Sequence, residues 1–152
     1  MCGVGRVQRD LPLGCDFFFP EPAVITAPDG ERRYAVCFFI HGMRYAQPAA
    51  QERAALADLG EKLFLMEDFQ NPADPEAFAI RTHENHLLGW VPRVYCADLH
   101  QLRRQGHAIQ LTVEHVNSSA TPSWAGVMCR VEAVWPEGFR ALSALELEPL
   151  AG

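Results

Sequence analysis

Asn71-Pro72-Ala73-Asp74-Pro75-Glu76-Ala77-Phe78-Ala79-Ile80 is where the reading of this chain begins. Pro72 and Pro75 fix their own φ and withhold backbone donors. Asn71 and Asp74 have short polar side chains that close turns on the neighbouring backbone. A stiff turn therefore runs straight into a strand, expected over residues 77–82. A second short strand is expected over 87–91, with His83-Glu84-Asn85-His86 as the turn between them. Pro92 launches a helix over 93–105. Tyr95, Leu99 and Leu102 fall on one face of it at helical spacing, and Gly106 ends it.

The same punctuation continues outward in both directions. Upstream, 62–67 reads as a strand. A helix is expected over 49–59, started by Pro48 and capped by Gly60. Tyr34-Ala35-Val36-Cys37-Phe38-Phe39-Ile40 is a buried strand rich in β-branched and aromatic residues. Asp29-Gly30 is a hairpin signal between it and a strand over 23–27. Downstream, Ile109, Leu111 and Val113 alternate with polar residues, then a polar loop over 117–123 follows. Val127, Cys129, Val131, Ala133 and Trp135 alternate through a last strand that Pro136 stops. Six or seven short strands with two short helices predict a mainly β, partly closed barrel. Three regions are expected: an N-terminal arm over 1–33 with a further strand near 15–19, a domain over 34–136, and a tail over 137–152. Phe17-Phe18-Phe19 does not suit a free tail, so the arm is expected to pack on the domain.

Composition narrows the function. The chain has 152 residues, 49% hydrophobic and 21% charged, which suits one domain. No run of about 18 apolar residues suggests a membrane span. No secretion signal is read at the N-terminus, so a cytoplasmic location is expected. The 5 cysteines are odd in number, widely spaced and without a C-x-x-C pair. Reduced structural thiols are the simplest reading. The net charge of -6 argues against a protein that coats nucleic acid through many phosphate contacts. It leaves room for a pocket that holds one or two nucleotides. Lys62 is the sole lysine, and arginine supplies the rest of the positive charge. The arginine fork suits phosphates and stacked rings.

Three segments carry chemistry together. His41-Gly42-Met43-Arg44-Tyr45 presents a cation and an aromatic on a glycine-loosened loop. Asn71 and Asp74 present an amide and a carboxylate on the proline turn. Gly89-Trp90-Val91-Pro92-Arg93 ends a strand in an aromatic and places a second cation at a helix start. An aromatic face gains roughly 1–3 kcal/mol from a stacked base of any identity. A carboxylate accepts a hydrogen bond from a terminal hydroxyl and repels a phosphate at the same place.

In this order the segments resemble the HIRAN family, over about residues 35–135. Its pattern is a Gly-x-x-Tyr loop, then Asn-Pro-x-Asp-x-x-Ala, then Gly-x-x-Pro followed by a basic residue. The resemblance implies a modified OB-like barrel. It implies a module that captures the 3′-hydroxyl end of single-stranded DNA in replication or repair. A DNA translocase or repair protein would be its protein partner, and no cofactor or catalytic step is implied. Carried over, Tyr45 is the stacking aromatic and Arg44 its neighbouring phosphate contact. Asn71 and Asp74 read the terminal nucleotide, and Arg93 is a second phosphate contact. Ala73 stands where the family often has an aromatic, and Trp90 is the residue that could replace it.

Other readings exist for the same residues. Asp74 and Asn71 could serve only their turn, and Tyr45 and Trp90 could be half-buried packing residues. His83, Glu84 and His86 could be a metal cluster, but a mobile turn with two histidines leaves a site incomplete. Cys2 would be an N-terminal thiol nucleophile after removal of Met1, as in class II glutamine amidotransferases. The remainder of the chain lacks their supporting segments. The alternative to DNA is a protein-interaction module on the same barrel, with the Phe-rich arm as the contact.

Overall fold

The computed structural model describes residues 20–117 and 126–142. Among them are the strands β1 (Ala23–Thr26), β2 (Arg32–Phe39), β3 (Lys62–Glu67), β4 (Phe78–Arg81), β5 (Leu87–Trp90), β6 (Ile109–Val116) and β7 (Val127–Val134). The helices are α1 (Pro48–Ala55) and α2 (Arg93–Arg104), with a 3-10 turn at Met43–Tyr45. The strands form one 7-stranded sheet in the order β1-β2-β7-β6-β3-β4-β5, and every pairing is antiparallel.

The last strand of that order, β5, meets the extension of β2. His41 lies just past β2 and pairs with Trp90 at the end of β5. His41 N–H donates to Trp90 O at 2.9 Å, and Trp90 N–H donates to His41 O at 2.8 Å. The preceding residue, Ile40, donates instead to Val127 O at the start of β7. Successive N–H groups of an extended chain point to opposite sides, so β2 continues between β7 and β5. The sheet therefore curls into an OB-like, partly closed barrel, with β1 attached to the N-terminal half of β2. The mainly β fold with two helices is the one expected.

Alternation decides what fills the barrel. Tyr34, Val36 and Phe38 of β2, Phe78 and Ile80 of β4, Leu111 and Val113 of β6, and Cys129 and Val131 of β7 form its core. Tyr95, Leu99 and Leu102 of α2 are fully buried and plug this interior. Asp98 on the same helix is also fully buried. It accepts the Tyr34 hydroxyl at 3.0 Å and the Leu142 N–H at 2.8 Å, which satisfies it. Burial still holds its carboxyl above the usual range, with these two donors opposing the shift. Trp135 and Phe139 pack with Tyr34 at the same end. The start of the expected tail thus folds back onto the domain.

Several local expectations are corrected. The helix expected over 49–59 stops at Ala55, and Gly60 does not cap it. Instead Gly60 N–H donates to Val113 O at 2.7 Å and Val113 N–H donates to Glu61 O at 2.9 Å, so this stretch already belongs to the β3–β6 pairing. Arg53, in the last turn of α1, bonds to Glu61 and Glu84 and fixes the helix end against that edge. Cys96 and Cys129 are free and buried. Cys37 is disulfide-bonded, which departs from the expectation of wholly reduced thiols. The strand near 15–19, the Phe-rich arm, Cys2 and most of the 117–123 loop lie outside the described residues.

Candidate nucleic-acid interface

Trp90 is the residue on which the three segments meet. Cα pairing sets Met66 opposite Ala79 and Ala79 opposite Trp90. Phe78 and Ile80 face the core, so Ala79 and the residues opposite it face outward. Trp90 therefore projects from the outer surface of the barrel. The first loop lies on its ring. Gly42 has φ +77, and a Cβ there would come within 2.7 Å of Trp90 Cε3 and 2.9 Å of Cζ3. Only glycine suits both that backbone and that approach. Gly89 is constrained too, because a Cβ would sit 2.3 Å from His41 O.

The second loop is tied to the same ring through Asp68. Trp90 Nε1–H donates to Asp68 Oδ2 at 3.1 Å, and Asn71 Nδ2–H donates to that oxygen at 3.3 Å. Asn71 Oδ1 accepts the N–H groups of Ala73 at 2.9 Å and Asp74 at 3.1 Å. Asp74 Oδ1 accepts Glu76 N–H at 3.0 Å. The Asn-Pro turn is thus braced by its own side chains, and Asn71 serves it with both ends of its amide.

The exposed groups surround this frame. Tyr45 is 71% exposed at the end of the 3-10 turn. Arg44 Nη2–H donates to the Tyr45 hydroxyl at 2.8 Å, with the guanidinium carbon 4.8 Å from the ring centroid. Gln51 on α1 donates to Ala46 O at 3.0 Å and supports the turn. Asp74 Oδ2 lies 3.9 Å from Arg93 Nε, and the Arg93 side chain is 88% exposed. Arg93 is the first residue of α2, where a cation meets the positive end of the helix dipole. The neighbouring Asp74 carboxylate offsets that. Burial lowers the pKa of His41 beneath the loop.

The six residues singled out from the sequence, Arg44, Tyr45, Asn71, Asp74, Trp90 and Arg93, accordingly occupy three mutually braced segments. Asp68 and Phe69 were missed. Asp68 links two of the segments, and Phe69 is an exposed aromatic at the same turn. An acidic-aromatic pair between a strand end and an Asn-Pro turn was the available signal. The His83–His86 turn is used otherwise, since Glu84 accepts Arg53 Nε–H at 3.1 Å. Among the described residues no group of His, Cys, Asp and Glu is placed to hold a metal ion. No described helix is long and apolar enough to cross a membrane.

Fold and loops together define a small OB-like barrel whose loops carry a candidate site of aromatic, cationic and carboxylate groups. The HIRAN domain model matches residues 34–135, and the chain belongs to the HIRAN domain family. Among solved structures, a protein from Lactobacillus plantarum aligns with a TM-score of 0.54 at 17% identity, over 68% of this chain and 99% of that one. The HIRAN domain of human HLTF aligns with a TM-score of 0.47 at 12% identity, over 74% of this chain and 77% of that one. The search of curated proteins returned no match.

Proposed function

We propose that this chain is a nucleic-acid-binding module that recognises the 3′-hydroxyl end of single-stranded DNA without catalysing a reaction on it. The observation that carries the reading is the Asp74 carboxylate. One of its oxygens braces the turn, while the other sits 3.9 Å from the exposed Arg93 guanidinium. A terminal hydroxyl can donate to that oxygen, and the phosphate leading to it can meet Arg93. Tyr45 supplies a stacking face and Arg44 a further phosphate contact. Trp90 forms the floor that holds both loops. Membership of the HIRAN domain family supports the same reading. Work in replication or repair, in the cytoplasm and beside a DNA translocase or repair protein, is the setting proposed for it.

The decisive comparison uses oligonucleotides ending in a 3′-hydroxyl or a 3′-phosphate, measured at fixed salt. The phosphate form should bind about tenfold more weakly or worse, since like charges then meet in a partly desolvated place. Asp74→Asn should narrow the gap. Equal binding of the two ends would remove end recognition. The second reading, a protein-interaction module, draws on the net charge of -6 and on exposed apolar side chains. Absence of any salt-dependent oligonucleotide binding would favour it.

A further inference from the structure

The outer face of β3 and β4 carries a strip that the site above does not use. Lys62, Phe64 and Met66 alternate outward along β3, against the inward Leu63 and Leu65. Phe64 is 47% exposed and Met66 48% exposed. Phe64 stands opposite Arg81, and Met66 stands opposite Ala79, whose other neighbour is Trp90. The row Met66-Ala79-Trp90 therefore runs from β3 into the floor of the candidate site. Ala79 is small, so it leaves the longer side chains on either side standing above it. None of these outward residues is acidic, although the chain as a whole is.

We propose that this strip continues the site as a track for single-stranded nucleic acid leading away from the captured end, which rests on the DNA-end reading above. Phe64 and Met66 supply apolar surface for bases, and Arg81 and Lys62 supply phosphate contacts. Phe64 and Met66, two residues apart on β3, are about 6.8 Å apart along the strand, roughly two base-stacking rises of about 3.4 Å. Apolar platforms flanked by cations suit a flexible polyanion with π faces. A purely apolar partner would gain nothing from Lys62 and Arg81. The positive strip on a negative molecule and its continuity with Trp90 both select nucleic acid.

The test is binding of 5′-labelled oligothymidines of increasing length, all with a 3′-hydroxyl, to the full chain. Affinity should rise from the dinucleotide to about eight nucleotides. The Phe64→Ala/Met66→Ala variant should keep dinucleotide binding within about twofold and lose about tenfold or more on the octamer. Lys62→Gln/Arg81→Gln should lower the octamer's log–log salt slope by about 1.4, at roughly 0.7 per phosphate. Placing 4-thiothymidine in the middle of the octamer should give crosslinks in the β3 segment. This measurement needs no substitution. Affinity independent of length, equal losses at every length, or crosslinks confined to other segments would overturn the track. So would a change in sedimentation without a change in DNA affinity, which would assign the strip to contacts between copies. Length-dependent binding with equal affinity for hydroxyl and phosphate ends would retain the track and remove end recognition, so the two readings fail separately.

Discussion

Trp90 and Asn71 share one acceptor: Asp68 Oδ2 takes the indole N–H at 3.1 Å and the amide N–H at 3.3 Å. This shared oxygen couples the floor of the site to the turn that carries Asp74. Asp68→Ala should destabilise the chain by about 1–3 kcal/mol, because two partly buried donors lose their partner. The Asp68→Ala/Asn71→Ala double variant should lose less than the sum of the single variants, by roughly 0.5 kcal/mol or more. Urea unfolding measures both. Strict additivity would mean that the two side chains are not joined in the way described.

Gly42 faces the Trp90 ring with φ +77. Gly42→Ala should cost about 1–3 kcal/mol from the backbone alone, with the clash against the ring added. Gly30 provides the control, since its φ is +89 and a Cβ there meets nothing within 4 Å. Gly42→Ala should therefore unfold at lower urea than Gly30→Ala and alter the tryptophan emission. Matching midpoints and spectra would show that the approach to Trp90 is not close.

Tyr45 offers its ring with Arg44 already folded against it. Tyr45→Ala should weaken oligonucleotide binding by roughly 1–3 kcal/mol, with little dependence on the terminal base. Tyr45→Phe should retain most of the affinity while removing the acceptor for Arg44. Unchanged affinity in a folded Tyr45→Ala protein would take Tyr45 out of the site.

Asp98 predicts a pH effect on stability. Its folded pKa is raised, chiefly by burial. The folded state then holds a proton more tightly than the unfolded chain does. The stability this contributes is fully present below the unfolded carboxylate value, and it is lost as pH rises through the folded one. Asp98→Asn cannot show that loss. Stability of the parent relative to Asp98→Asn should fall as pH rises above the ordinary carboxylate value of about 4, read from urea midpoints. A difference that stays constant with pH would contradict the assignment. Tyr34→Phe should cost about 1–3 kcal/mol by taking one donor from this buried carboxylate.

Much of the fold was legible because its signals are local. Alternation marked β6 and β7, Pro92 and Gly106 bounded α2, and Asp29-Gly30 marked the β1–β2 hairpin. The three candidate segments were legible because a glycine loop, an Asn-Pro turn and a strand-to-helix junction each occupy only a few consecutive positions. Helix α1 was overextended for the opposite reason. Leu56 and Leu59 continue a helical pattern in the sequence, but pairing of Gly60 and Glu61 with β6 claims the backbone first, and both leucines are left exposed.

The sequence by itself determined the strand periods, the turn chemistry and the residues available to the site. Those depend on side-chain spacing within one element. The closure of the barrel through His41 and Trp90, the link through Asp68 and the outward strip on β3 were decided only by the tertiary structure. Leu88 and Trp90 show why. Strict alternation would put them on one face, yet the register shift in the β4–β5 pairing sends Leu88 into the core and sets Trp90 opposite the outward Ala79. A register is a relation between strands distant in sequence, fixed by which pairing buries the most apolar surface while satisfying the backbone, and no single strand contains it.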